Sequence, residues 1–77
     1  MTNQAMPLAM ARAGEVVTVV GVRGGWGLQR RLADMGLTPG VRIRLINNQI
    51  AGPVLVELRG ARVALGRGVA QKVMVKP

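Results

Sequence analysis

Residues 41–46, Val-Arg-Ile-Arg-Leu-Ile, decide how this chain folds. Val41, Ile43 and Leu45 alternate with Arg42 and Arg44. A period of two places the apolar residues on one face of an extended chain and the arginines on the other. A half-buried strand follows, with Arg42 and Arg44 turned to solvent. Just before it, Thr38-Pro39-Gly40 reads as a type II turn, since Pro39 fixes φ and Gly40 accepts a positive one. Earlier still, Leu28, Leu32 and Met35 fall at i, i+4 and i+7, the stripe of a short helix over 28–35. Gly36 suits the left-handed stop of that helix, and Leu37 supplies the hydrophobic contact that accompanies it.

The rest of the chain repeats the strand pattern on both sides. Residues 15–22 are rich in valine, which favours pleated sheet. Val16, Thr18, Val20 and Val22 share one face of this strand, and Val17 and Val19 share the other. Apolar residues on both faces imply cover on each side for part of its length. Residues 23–27, with three glycines around Trp26, form a connecting loop. It is no phosphate-binding Walker loop, because no Gly-Lys-Thr/Ser follows.

Downstream, residues 47–52 read as a loop. Residues 53–59 form a strand with Val54, Val56 and Leu58 inside, and Gly60 marks a tight hairpin. Residues 61–65 form the next strand, 66–70 one helical turn, and 72–75 a closing strand with Val73 and Val75 inside. At the start, 1–6 read as a frayed terminus. Residues 7–12 are a lead-in whose Leu8 and Met10 tuck under the sheet. The expected fold is mainly β: a small five-stranded, SH3-like, partly open barrel with a short helix between strands one and two. It occupies residues 1–77 as a single domain.

Composition limits what such a barrel can do. The hydrophobic fraction is 49%, yet Trp26 is the sole aromatic residue, so Val, Leu, Ile, Ala and Met must build the core. There is no Cys, which excludes disulfides and thiolate metal sites and suits a reducing cytosol. There is no His, the usual neutral-pH proton carrier and commonest metal ligand. The acids Glu15, Asp34 and Glu57 lie in three separate segments, too scattered for a paired-carboxylate site or a hard-metal cage. Thr2, Thr18 and Thr38 are the hydroxyls available, and none has a base nearby in sequence. Catalysis is not expected, and neither is a resident cofactor.

The longest strongly apolar run, 16–22, is far short of a membrane span, and no basic segment precedes the apolar start. A cytoplasmic protein without a transmembrane segment is expected. The net charge of +8 on 77 residues attracts negative partners, or else keeps the surface soluble by repulsion. Nucleic acid, an anionic membrane surface and an acidic protein face all qualify.

The chain resembles the FeoA family, the small cytosolic component of bacterial ferrous iron uptake. The most specific match is 30–40, Arg-Arg-Leu-Ala-Asp-Met-Gly-Leu-Thr-Pro-Gly. Pro7-Leu8, Gly14-Glu15, Gly24-Gly25, Gly52-Pro53-Val54, residues 62–66, Ala70 and residues 73–75 follow the family in order and spacing. The resemblance implies an SH3-like barrel with a helical insertion after the first strand. It also implies a non-catalytic partner of FeoB, the membrane iron transporter with a cytosolic G-protein domain. Such a partner would be recruited to the inner face of the membrane. The same fold closes some iron-dependent repressors, where it is an interaction module.

Against that background, candidate contact residues stand out. Arg30 and Arg31 lie four and three residues before Asp34, so one can pair with it while the other meets acidic or phosphate groups of a partner. Trp26 either covers the barrel end or anchors a partner. Arg42, Arg44, Arg59 and Arg62 alternate outward and form a basic stripe if their strands are neighbours. A nucleic-acid-binding barrel is the alternative function, although the sheet lacks stacking aromatics. Met1, Met6 and Met10 are soft donors that suit Cu(I) rather than Fe(II), so no iron site is expected. Strand edges and the Trp26 loop leave a homodimer open.

Overall fold

Alternating valines and leucines pair into one continuous antiparallel sheet in the computed structural model, which describes residues 4–49 and 51–77. Its strands are β1 (Met6–Pro7), β2 (Val16–Val22), β3 (Arg42–Asn48), β4 (Val54–Leu58), β5 (Ala61–Leu65) and β6 (Val73–Lys76). The sheet order is β1-β6-β2-β3-β4-β5. This is the expected mainly β, SH3-like architecture with one strand more than the five read from sequence.

The added strand is β1, whose Met6 and Pro7 face Val75 and Met74. Two residues carry no readable period, and proline is tolerated there because β1 is an edge. Met6 is therefore paired rather than frayed. Met1 and Thr2, with the fraying expected of residues 1–3, lie outside the described residues. Leu8 is fully buried as expected, but Met10 stands 68% exposed and does not tuck under the sheet.

The core forms where the inward faces meet. Val17 and Val19 of β2, Ile43 and Leu45 of β3, Val54 and Val56 of β4, and Val73 and Val75 of β6 are all buried. Burying an aliphatic side chain of this size contributes about 1.5–3 kcal/mol, so these residues compensate for the missing aromatics. The other face of β2 is covered for part of its length, as expected: Thr18 is half-buried, while Val16 and Val20 are 44% and 41% exposed. Val20 is the extra residue of a bulge, since Val19 faces Val75 while Gly21 already faces Met74. A second bulge places Ile46 between Leu45, opposite Val56, and Asn47, opposite Leu55. It carries β3 on to Asn48, into a segment expected to be loop.

Helix α1 (Trp26–Asp34) enters after β2. It starts two residues earlier than the apolar stripe indicates, because Gly25 serves as its N-cap and accepts the first helical bond from the Gln29 amide at 3.1 Å. The Gln29 side chain also donates to the Gly24 carbonyl at 3.0 Å, so the glycine segment is tied to the helix. Of the stripe, Leu32 is buried and Leu28 half-buried, while Met35 is 39% exposed. The helix ends as expected. Gly36 takes φ 91, its amide bonds to the Ala33 carbonyl at 2.9 Å, and the Leu37 amide bonds to the Leu32 carbonyl at 2.9 Å. These two bonds define a Schellman motif, with Leu32 and Leu37 both in the core. The Thr38–Val41 turn then closes through the Val41 amide and the Thr38 carbonyl at 3.1 Å. A single helical turn, α2 (Arg67–Ala70), links β5 to β6.

The β4–β5 hairpin turns on Arg59 and Gly60, with φ of 52 and 82. Two central residues at positive φ match a type I′ turn, where Asn-Gly is the favoured pair. Glycine accepts this geometry freely, but the Cβ of arginine makes it strained. Arg59→Asn is expected to stabilise the fold by about 0.5–1 kcal/mol, raising Tm by about 2–6 °C in thermal denaturation. An unchanged or lower Tm would show that the arginine side chain makes compensating contacts.

Candidate functional site

The spacing of α1 organises the principal cleft. Trp26, Arg30 and Ala33 stand at i, i+4 and i+7, hence on one face. That face looks onto the end of β2, at Gly21 and Val22, and onto Thr38-Pro39 of the turn. Together they enclose an open cleft of about 580 Å³ with mostly aliphatic and aromatic walls. Arg30 and Gln29 supply its polar groups. Trp26 is 77% exposed, so it does not cover the barrel end, which the aliphatic core already fills.

Arg31 goes elsewhere. It lines a smaller recess of about 90 Å³ on the other flank of α1, with Met35, Leu65 and Val69. The adjacent arginines that look equivalent in sequence therefore serve different surfaces. The side-chain hydrogen bonds of arginine among the described residues belong to Arg67. The expected pairing of Arg30 or Arg31 with Asp34 is not among them.

Register sets the basic surface of the sheet. Arg44 faces Glu57 across β3–β4, and Glu57 faces Arg62 across β4–β5. Val16 extends this row on β2. A second row runs Lys76–Thr18–Arg42 across β6, β2 and β3. Arg42, Arg44 and Arg62 thus do share a face, and Lys76, which the sequence pattern did not mark, joins them. Arg59 does not, because it sits in the hairpin turn rather than on a strand. No residue of these rows lines the Trp26 cleft.

The family model that matches this chain is the FeoA domain, over residues 6–77. The chain belongs to the FeoA family. A curated relative from Methanocaldococcus jannaschii, "Putative Fe(2+) transport protein A", is 43% identical over 70 residues, covering 91% of this chain and 84% of that one. The crystal structure of an iron uptake regulatory protein, FeoA, superposes with a TM-score of 0.85 at 33% identity, covering 95% of this chain and 96% of the other. A manganese-dependent transcriptional repressor matches with a TM-score of 0.85 at 28% identity. There the FeoA fold makes up 43% of the longer chain.

Within this FeoA domain, one further cluster escaped the sequence reading. The Asn48 side-chain amide donates to the carbonyls of Ala9 and Ala11, at 2.7 and 2.6 Å. Its Oδ1 accepts from the Arg67 guanidinium at 2.9 Å. Arg67 also donates to the backbone carbonyls of Gln49 and Gly52. Asn48 and Arg67 are half-buried, and their bonds hold the 8–11 turn, the β3–β4 connection and α2 together. This cluster is structural, and neither residue opens onto the cleft. Among the described residues, no three His, Cys, Asp or Glu side chains gather as a metal site would require. No helix among them is long and apolar enough to cross a membrane.

Proposed function

We propose that this FeoA domain is a non-catalytic accessory protein of ferrous iron uptake, binding and modulating FeoB through the transporter's cytosolic, G-protein-containing region. The observation that carries this reading is Trp26, exposed beside an apolar cleft that Arg30 borders. Tryptophan and arginine at a concave apolar surface are the residue types that dominate protein interfaces. Arg30 would meet a carboxylate of the partner, since a guanidinium binds one through two parallel hydrogen bonds. The name of the Methanocaldococcus jannaschii relative, "Putative Fe(2+) transport protein A", supports the pathway. In this reading the domain works in the cytoplasm as a single module and reaches the inner face of the membrane through FeoB.

The test is capture of the cytosolic part of FeoB by this protein in the apo, GDP and GTP-analogue states. Binding in at least one state, lost on replacing Trp26, is the expected result. Failure to bind in every state would overturn the assignment.

A further inference from the structure

The two charged rows on the sheet offer a second surface, independent of the cleft and of FeoB. We propose that the outer face of β6-β2-β3-β4-β5 rests on an anionic phospholipid surface, with Arg42, Arg44, Arg62 and Lys76 against the headgroup phosphates. Neighbouring strands lie about 4.8 Å apart, and alternate residues along a strand about 6.8 Å apart. The cations are therefore spread across several strands, the spacing of a surface that meets diffuse negative charge. Arg42, Arg44, Arg62 and Lys76 are exposed. The acid among the two rows, Glu57, is half-buried between Arg44 and Arg62 by register.

The apolar residues of this face distinguish a lipid surface from RNA. Val16 and Val20 are 44% and 41% exposed on β2, and Val16 is the register partner of Arg44. Aliphatic side chains among cations gain nothing from a hydrated phosphate backbone, but they bury area at the boundary between headgroups and acyl chains. RNA readers stack bases on aromatic rings, and these two rows carry none. The single tryptophan instead lines the cleft. Each basic side chain near such a membrane contributes about 1 kcal/mol, or about fivefold in partitioning.

Co-sedimentation of the full chain with vesicles tests the proposal. The protein should pellet with mixed phosphatidylglycerol–phosphatidylcholine vesicles at low salt and not with phosphatidylcholine alone. Binding should weaken as salt rises. Arg42→Ser/Arg44→Ser should cut partitioning about 20-fold or more. Arg62→Ser/Lys76→Ser, a second pair on other strands, should act alike. Arg12→Ser/Arg23→Ser removes the same charge away from the rows and should cost clearly less than either pair. Circular dichroism checks that each variant folds. Equal losses from all three pairs, or no pelleting with anionic vesicles, would overturn the proposal. Tighter binding to a uridine oligonucleotide than to vesicles, lost in Arg42→Ser/Arg44→Ser, would give the face to nucleic acid instead. Because FeoB is absent from these assays, their outcome is separate from that of the capture experiment.

Discussion

Trp26→Ala is expected to weaken binding to the cytosolic part of FeoB about 30-fold while moving Tm by no more than about 4 °C. Both numbers follow from the 77% exposure of Trp26. A side chain so exposed adds little to the isolated fold, so removing it leaves stability nearly unchanged. Filling the interface beside an apolar cleft, the same ring would bury most of its surface, and truncating such an anchor costs about 2 kcal/mol or more. Isothermal titration of wild type and variant gives the affinity ratio. Fluorotryptophan incorporated at this single position reports whether the ring itself enters the interface. Arg30→Ala should weaken binding and Arg31→Ala should not, since α1 aims the two at different surfaces. Wild-type affinity in Trp26→Ala would remove the cleft from the interface.

That asymmetry shows where sequence reading stops. Periodicity reports which residues share a face, and it correctly placed Ile43, Leu45, Val54, Val56, Leu58, Val73 and Val75 inside, while for residues 15–22 it grouped Val17 with Val19 without choosing which face was the core. The C-terminus of α1 was equally legible, because Gly36-Leu37 followed by Thr38-Pro39-Gly40 encodes a left-handed stop and a turn through local backbone preference alone. The start of α1 was not legible, because a glycine N-cap looks like loop and Trp26-Gly27 looks like its continuation. Whether Trp26 covered a core or faced solvent depends on the volume the other side chains leave, a long-range quantity. Bulges were equally hidden. An extra residue at Val20 or Ile46 shifts the pairing after it, and neither changes local propensity. The basic rows needed cross-strand register: the pattern found Arg42, Arg44 and Arg62, wrongly added Arg59, and had no means of joining Lys76 to Thr18 and Arg42. The proposed partner owes nothing to these patterns; it rests on what the family resemblance implies and on the exposed tryptophan.

Asn48→Leu is expected to destabilise the fold by about 2–3 kcal/mol, lowering Tm by about 10–20 °C in a domain of this size. The side chain was unremarkable in sequence, one of two asparagines in an apparent loop. Through the bulge at Ile46, β3 continues to Asn48 and directs it toward the 8–11 turn. Leucine has the same branched heavy-atom skeleton but bulkier methyl ends and no donors, so the Ala9 and Ala11 carbonyls lose their side-chain partner and Arg67 loses one of its acceptors. Each lost hydrogen bond costs about 1 kcal/mol, and half-buried carbonyls recover part of that from water. Asn47→Leu is the control. Asn47 is exposed and lies one residue away on the same strand, so its replacement should change stability by no more than about 0.5 kcal/mol. Asn48→Asp separates the two halves of the cluster. It retains an acceptor for Arg67 but turns a carboxylate oxygen toward the carbonyls that Nδ2 served. If the bonds to Ala9 and Ala11 dominate, Asn48→Asp should be nearly as unstable as Asn48→Leu. If the bond to Arg67 dominates, it should approach wild type. Equal stability of all three Asn48 forms would show that the 8–11 turn is held by Leu8 and Ala11 burial alone.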